Sequence, residues 1–363
     1  ELGVDVLVEG SLLREGSKIE VTLQLIDGRS DGHVWAERYT RETPYVFSLI
    51  ADMADAIGTE IGASTVSPGT GGLIREPIGP IDPRAIEAYA IGITHLDRLT
   101  GDGIRIAIDQ FEMAVAIEPE FALAWGELGV AHTMQGMFGF ALPRESKKQL
   151  RTAALNAIEA DDQVAIGHSA LGWLRWYTWD YDGACESFEE ALRLNPSGPY
   201  AIHGDADCLM LDGHMEASVA RARELMMVGP FSAMHNRPLP YHLFLSRRYE
   251  EAIAAVKAVR KRVAVAPMHY ILAWSYWQQG HFDKALDEER LELERRGDTI
   301  LLAALEEGLA SAGPTGAMRA MAQALVARSN ESYVDPMEIG KTYARAGMVD
   351  EALHWLAKAV AFG

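Results

Sequence analysis

The sequence predicts a mainly α-helical chain: a right-handed superhelical solenoid of stacked helical hairpins preceded by a small partial α/β domain. Three observations predict it. In Ala170 to Pro196, Leu171 and Gly172 sit on one predicted helix, and Ala184, Phe188 and Ala191 recur at i, i+4 and i+7 on the next, which Pro196 closes. Small residues there let two antiparallel helices approach closely while Phe188 fills the space beside them. The second observation is a period of roughly 34 residues: the turn at Trp179 recurs at Gly213, Arg247, Gly280, Gly313 and Gly347. The third is the alternation of Ile19, Val21, Leu23 and Leu25 with Lys18, Glu20, Thr22 and Gln24, the period of a strand with one buried face.

Small residues mark the helix contact throughout the repeats, at Ala184, Ser218, Ala252, Ala285 and Ala352, with Ala317 one place early. Glycine suits most of the turns because a helix that ends in a left-handed residue carries no Cβ penalty there. Together these residues resemble the tetratricopeptide repeat family, whose pattern is a bulky residue, Leu-Gly, an aromatic, Ala, an aromatic, Ala and Pro. The stretch ending at Pro196 matches it best. About eight hairpins are expected from Arg84 onward, the first elongated around Leu99 to Gly103. The second has an extended loop at Phe138 to Pro143, and the seventh is interrupted by Gly313-Pro314.

Residues 1–66 form the expected partial α/β domain, with strands near 4–14, 18–27 and 33–40 and a helix from about Pro44. Its run VLVEGSLLREGSKIEVTLQLID and the following GHVWAERYTR resemble a small domain related to the amino-terminal domain of TolB-like proteins. In that family the domain follows a class III adenylate or guanylate cyclase domain, or a winged-helix DNA-binding domain, and precedes tetratricopeptide repeats. The resemblance implies a signal-transduction role: the regulatory or sensor region of a bacterial cyclase, or alternatively of a winged-helix transcriptional regulator. A first strand at the chain start and the absence of an initiating Met lead us to expect an excised fragment, with its output domain before Glu1. Residues 67–83 are Pro- and Gly-rich and are expected to be a linker; Gly69, Gly71 and Gly72 lack the Gly-Lys-Ser/Thr of a phosphate loop. Residues 84–363 are the solenoid.

With 48% hydrophobic and 23% charged residues the chain is composed like a folded protein, and no apolar run reaches the ~20 residues of a membrane span. A net charge of −19 argues against nucleic acid as a partner of this region; the basic run Lys257 to Arg262 is expected to be a solvated helix face. Cys185 and Cys208 fit no zinc spacing and are expected to be buried free thiols in a cytoplasmic protein. Asn330-Glu331-Ser332 matches a glycosylation triplet by chance.

No catalytic constellation is expected. Glu189-Glu190 and Glu288-Glu289 are adjacent on helices and so do not face one another, and no nucleophile elbow is present. His203 and Asp207 lie at i and i+4, near Asp205 and His214, so a metal-dependent enzyme in the groove is the third hypothesis. Three ligands on one rigid element are not found, so no metal and no cofactor are expected. In tetratricopeptide proteins the first helix of each repeat lines the concave side, which implies an aromatic groove. Carried onto this sequence, it is formed by Trp173, Trp176, Tyr177, Tyr200, His203, Tyr241, Phe244, Tyr270, Trp274 and Trp277. Family members that hold a carboxylate use Lys, Arg and Asn at such positions, and only Arg237, Lys341 and Arg345 approach that here. The expectation is a non-catalytic scaffold binding a protein or peptide with an apolar segment, or an upstream domain of the same chain. The unpaired sheet edge and the bare last helix are candidate faces for a homodimer.

Overall fold

The computed structural model describes residues 5–28, 30, 32–60, 80–263 and 268–362. The chain opens with strands β1 (Val6–Glu15), β2 (Lys18–Asp27) and β3 (His33–Glu42), an antiparallel meander in that order. The alternation in β2 is realised: Ile19, Val21, Leu23 and Leu25 are buried, and with Leu49 of helix α1 (Val46–Glu60) they form the core of the unit. A 3-10 turn, Thr43–Tyr45, separates β3 from α1, so the α-helix begins two residues after Pro44. Strand β1 is exposed along nearly its whole length. Phe47 of α1 reaches away from the sheet and packs 5.6 Å from the ring of Phe121 and 5.8 Å from that of Tyr89. These contacts join the sheet-bearing unit to the first helices that follow. Most of the expected linker, including Gly69, Gly71 and Gly72, lies outside the described residues.

The remainder is helical, in the order α2 (Pro83–Leu96), α3 (Gly101–Ile117), α4 (Ala122–Met137), α5 (Pro143–Ala160), α6 (Ala165–Tyr177), α7 (Tyr181–Leu194), α8 (Pro199–Leu211) and α9 (Met215–Val228). It continues as α10 (Ala233–Asn236), α11 (Pro238–Leu245), α12 (Tyr249–Arg260), α13 (His269–Gln278), α14 (Phe282–Arg296), α15 (Thr299–Ser329), α16 (Pro336–Arg345) and α17 (Val349–Phe362). The long α15 is two helices, since Ala312 and Gly313 leave helical geometry ahead of Pro314. Gly308 and Gly316 on either side let the two backbones touch, so the Gly313 hairpin forms as expected.

Each helix packs on the next, and alternate helices such as α4 and α6, α6 and α8, and α11 and α13 also touch. This neighbour-by-neighbour packing is that of a solenoid. Among the described residues, the eight turns within hairpins carry a positive φ at Leu99, Gly139, Trp179, Gly213, Arg247, Gly280, Gly313 and Gly347, from 50° to 82°. The small contact residues Ala184, Ser218, Ala252, Ala285, Ala317 and Ala352 are all buried. At the best repeat, the Phe188 ring lies between two helices made thin by glycine. A Cβ on Gly172 of α6 would lie 2.5 Å from the ring, and one on Gly204 of α8 would lie 2.4 Å from it. Gly92 and Phe111 repeat the arrangement at the first hairpin.

Among the described residues no helix is long and apolar enough to cross a membrane. The cysteines overturn an expectation. Cys185 and Cys208 are not free thiols but a disulfide, with Cα atoms 5.9 Å apart. Packing α8 back against α7 brings residues 23 apart in sequence face to face, an adjacency that zinc spacings do not test. The bridge also removes the argument from free thiols for a reducing cytoplasm.

Two variants test this packing. Phe188→Ala empties the slot between Gly172 and Gly204 and should cost ~3–5 kcal/mol in denaturant unfolding. Cys185→Ser together with Cys208→Ser should cost about 3 kcal/mol, the chain-entropy value for a closed loop of this size, and wild type in reductant should match the double variant.

Candidate functional site

Side chains from first helices of successive repeats gather around Arg237, at the junction of α10 and α11. Pro238 and Pro240 start α11 there, which swings the arginine inward from the segment joining the fourth and fifth hairpins. The same segment crosses to the beginning of the solenoid. Ser232 Oγ donates to Asp97 Oδ1 at 2.5 Å, and Met234 enters the core formed by the first hairpins. Arg237 Nε donates to the Tyr270 hydroxyl at 2.8 Å and Nη1 to Met137 Sδ at 3.3 Å, while the guanidinium sits 4.8 Å from the Phe138 ring centre. No carboxylate pairs with it among the described residues. Tyr270, Tyr241 and Tyr177 surround it instead and favour its charge, against the desolvation that opposes it. Burial likewise pushes the Tyr241 hydroxyl up to about 12 and that of Tyr177 well above its usual range.

Of the ten residues expected in the groove, the structure brings five together here. Tyr177, Tyr241 and Tyr270 face Arg237, and Trp274 extends the aromatic surface from Tyr270, at 5.1 Å, to Phe244, at 5.6 Å, with the Lys341 ammonium 5.1 Å over its ring. Two are corrected outright. Trp173 is 1% exposed and His203 8%, because each rotates into the packing between helices, Trp173 against Phe188 and His203 against Trp173. Trp176 and Trp277 are half-buried and brace turns: each packs edge-on against the ring five residues later, Tyr181 at 4.9 Å and Phe282 at 4.8 Å. Tyr200 points to Glu127 of α4, donating to Oε2 at 3.2 Å. Of the three cations considered, all lie against aromatic rings, and Arg345 is in addition paired with Glu289. Glu288 binds Arg260 at 3.0 Å and His269 at 2.6 Å, so the two adjacent acids indeed serve different partners and the basic run is partly ion-paired.

Beside Arg237, α8 contributes His203 and Asp207, and α11 contributes His242, which sequence reasoning missed. His203 Nε2 is 3.8 Å from Asp207 Oδ2, and His242 Nε2 is 3.3 Å from Oδ1. Burial pushes the His203 imidazole down to about 4, opposed by Asp207. The signal for His242 was its distance of one repeat from Asp207. Asp205 instead pairs with Arg221 at 2.5 Å, and His214 is exposed at the start of α9. Ser218, His242 and Asp207 stand in a row reminiscent of a nucleophile relay, but the hydrogen bond is between Ser218 and Nδ1 rather than Nε2, and Ser218 is 1% exposed.

A wall of stacked helix pairs with aromatic rings around an unpaired cation defines a helical-repeat interaction scaffold. Residues 242–298 match the tetratricopeptide repeat model. The chain is 28% identical over 182 residues, 48% of its length, to the Rhizobium meliloti protein named Putative adenylate cyclase 3. It is 32% identical over 115 residues, 31% of its length, to the Small glutamine-rich tetratricopeptide repeat-containing protein 2 of Mycosarcoma maydis. The chain spans 30% of the length of each of these curated relatives. The solved structure of the human IFIT1 dimer with m7Gppp-AAAA has the same fold, at TM-score 0.51 and 14% identity, covering 86% of this chain and 77% of that one.

Glu127 yields a pH prediction. Burial pushes its carboxyl up to about 7 from 4.5, so the folded state holds a proton that the unfolded state gives up between those values. Its stability contribution is present below pH 4.5 and lost as pH rises through 7. Glu127→Gln should therefore equal wild type near pH 4.5 and exceed it by up to ~3 kcal/mol at pH 8, as read by urea unfolding.

Proposed function

We propose that this chain is the non-catalytic regulatory region of a class III adenylate or guanylate cyclase, and that its aromatic inner wall holds a segment of the same gene product. The observation that carries the groove reading is Arg237, a half-buried guanidinium that Tyr177, Tyr241 and Tyr270 surround and no carboxylate neutralises among the described residues. An apolar segment with one acidic group suits that surface: its side chains cover Phe244, Tyr270 and Trp274, and its carboxylate receives the guanidinium donors that Tyr270 and Met137 leave free. The cyclase assignment is supported by the TolB-like strand pattern followed by tetratricopeptide repeats, and by similarity to the Rhizobium meliloti protein. In this reading nucleotide chemistry belongs to another domain, and the solenoid biases it by binding or releasing the segment.

The test is Trp274→Ala, with Arg237→Gln beside it, in the gene product that contains this chain. The expected result is an altered rate of cyclic-nucleotide synthesis, by threefold or more, a change of about 0.7 kcal/mol in barrier, with the melting curve preserved. Loss of ~3–5 kcal/mol of stability in Trp274→Ala would mark the ring as core and remove the groove reading. A gene product that forms no cyclic nucleotide from ATP or GTP would remove the cyclase reading and leave the scaffold standing.

A further inference from the structure

We propose that His203, Asp207 and His242 form a divalent-cation site of the zinc class, a metal clasp between the fourth and fifth hairpins. The three side chains converge from two helices: His203 and Asp207 lie one turn apart on α8, and His242 projects from α11 of the following repeat. Their ligand atoms all lie within 4.8 Å of one another. Ligands about 2.0–2.2 Å from a tetrahedral zinc stand about 3.3–3.6 Å apart. The 3.3 Å from His242 Nε2 to Asp207 Oδ1 meets that spacing, and the 3.8 Å from His203 Nε2 to Asp207 Oδ2 exceeds it by a few tenths of an ångström. Two imidazoles and one carboxylate are a donor set that binds zinc in preference to the harder calcium and magnesium, with the fourth position left to water.

A second, independent observation points to a ligand. The His242 side chain is fully buried, and its Nε2 has no hydrogen-bond partner even though Asp207 Oδ1 is its near neighbour. The other ring nitrogen, Nδ1, lies 2.7 Å from Ser218 Oγ. With the Nδ1 proton given to Ser218, Nε2 presents a bare lone pair toward a carboxylate, an arrangement of two acceptors that a cation between them satisfies. The outer hydrogen bond from a ligating histidine to a fixed oxygen is the support that orients such rings in metal sites. Ser218 occupies the contact point that alanine holds in most of the other repeats, and it is the residue there that supplies this oxygen.

The surroundings suit one divalent ion. The His203 ring is fixed 5.1 Å from that of Trp173. Asp207 brings the negative charge that offsets part of a divalent ion's. The metal therefore leaves the site with a modest net positive charge, inside a chain whose net charge is −19.

The test uses the whole chain, stripped with a chelator and titrated with Co2+ as a spectroscopic stand-in and then with Zn2+. One Co2+ per chain should bind with the intense visible absorption of a four-coordinate nitrogen and oxygen site, and one equivalent of Zn2+ should displace it. His242→Gln and Asp207→Asn should each lose tenfold or more in affinity, and Ser218→Ala should lose about 10-fold by freeing the ring. Circular dichroism identifies any variant that fails to fold, and the wild-type Co2+ spectrum reports the ligand set without any substitution. Binding below half an equivalent at about 0.1 mM free metal, an affinity weaker than about 5.5 kcal/mol, would overturn the proposal. So would undiminished binding in folded His242→Gln or Asp207→Asn.

Discussion

The structure depends on how closely three helices can approach at one ring. Phe188 is held between the backbones of α6 and α8 because Gly172 and Gly204 have no side chain to keep them apart. A ring in that slot excludes water from both helix interfaces at once, which couples a hairpin to the next instead of only closing itself. The same device at Gly92 and Phe111 stands where the sheet-bearing unit meets the solenoid, and the rings of Tyr89, Phe121 and Phe47 extend it toward α1. The rings thus join α1 of the sheet-bearing unit to the core of the first hairpins.

Much of this was legible because repeats announce themselves by spacing. Trp179 and Arg247 could be placed at turns despite lacking glycine, since the period required a turn there, and both adopt positive φ. The β2 alternation fixed which side chains face α1. What sequence could not supply was adjacency between neighbouring repeats. Cys185 and Cys208 meet only because α8 folds back on α7, and no motif encodes that distance. His242 was overlooked for a related reason: a metal motif is usually sought along one element, whereas a solenoid places residues about one period apart side by side.

The groove residues show the limit of assigning an inner face by helical position alone. Rotation of a helix by a fraction of a turn separates an inward residue from one at the interface, and Trp173 on α6 falls on the other side of that line from Tyr177. The i, i+5 ring pairs add a second competing use for aromatics. Trp176 with Tyr181, Phe244 with Tyr249, and Trp277 with Phe282 each brace a turn, and one of those rings, Phe244, also contributes to the wall. An aromatic at the end of a first helix can therefore serve the turn, the groove or both.

Ser232 and Asp97 touch although 135 residues separate them, and Met234 beside them enters the core of the first hairpins. This contact converts part of an open row into a ring of joints. In an open row each joint flexes independently, but in a closed linkage a tilt at one junction must be matched by compensating tilts at the others. Arg237, three residues beyond Met234, rides on the segment that closes the linkage. A shift of the segment that carries the arginine therefore has to be accommodated at the Ser232–Asp97 contact as well as at the neighbouring helices.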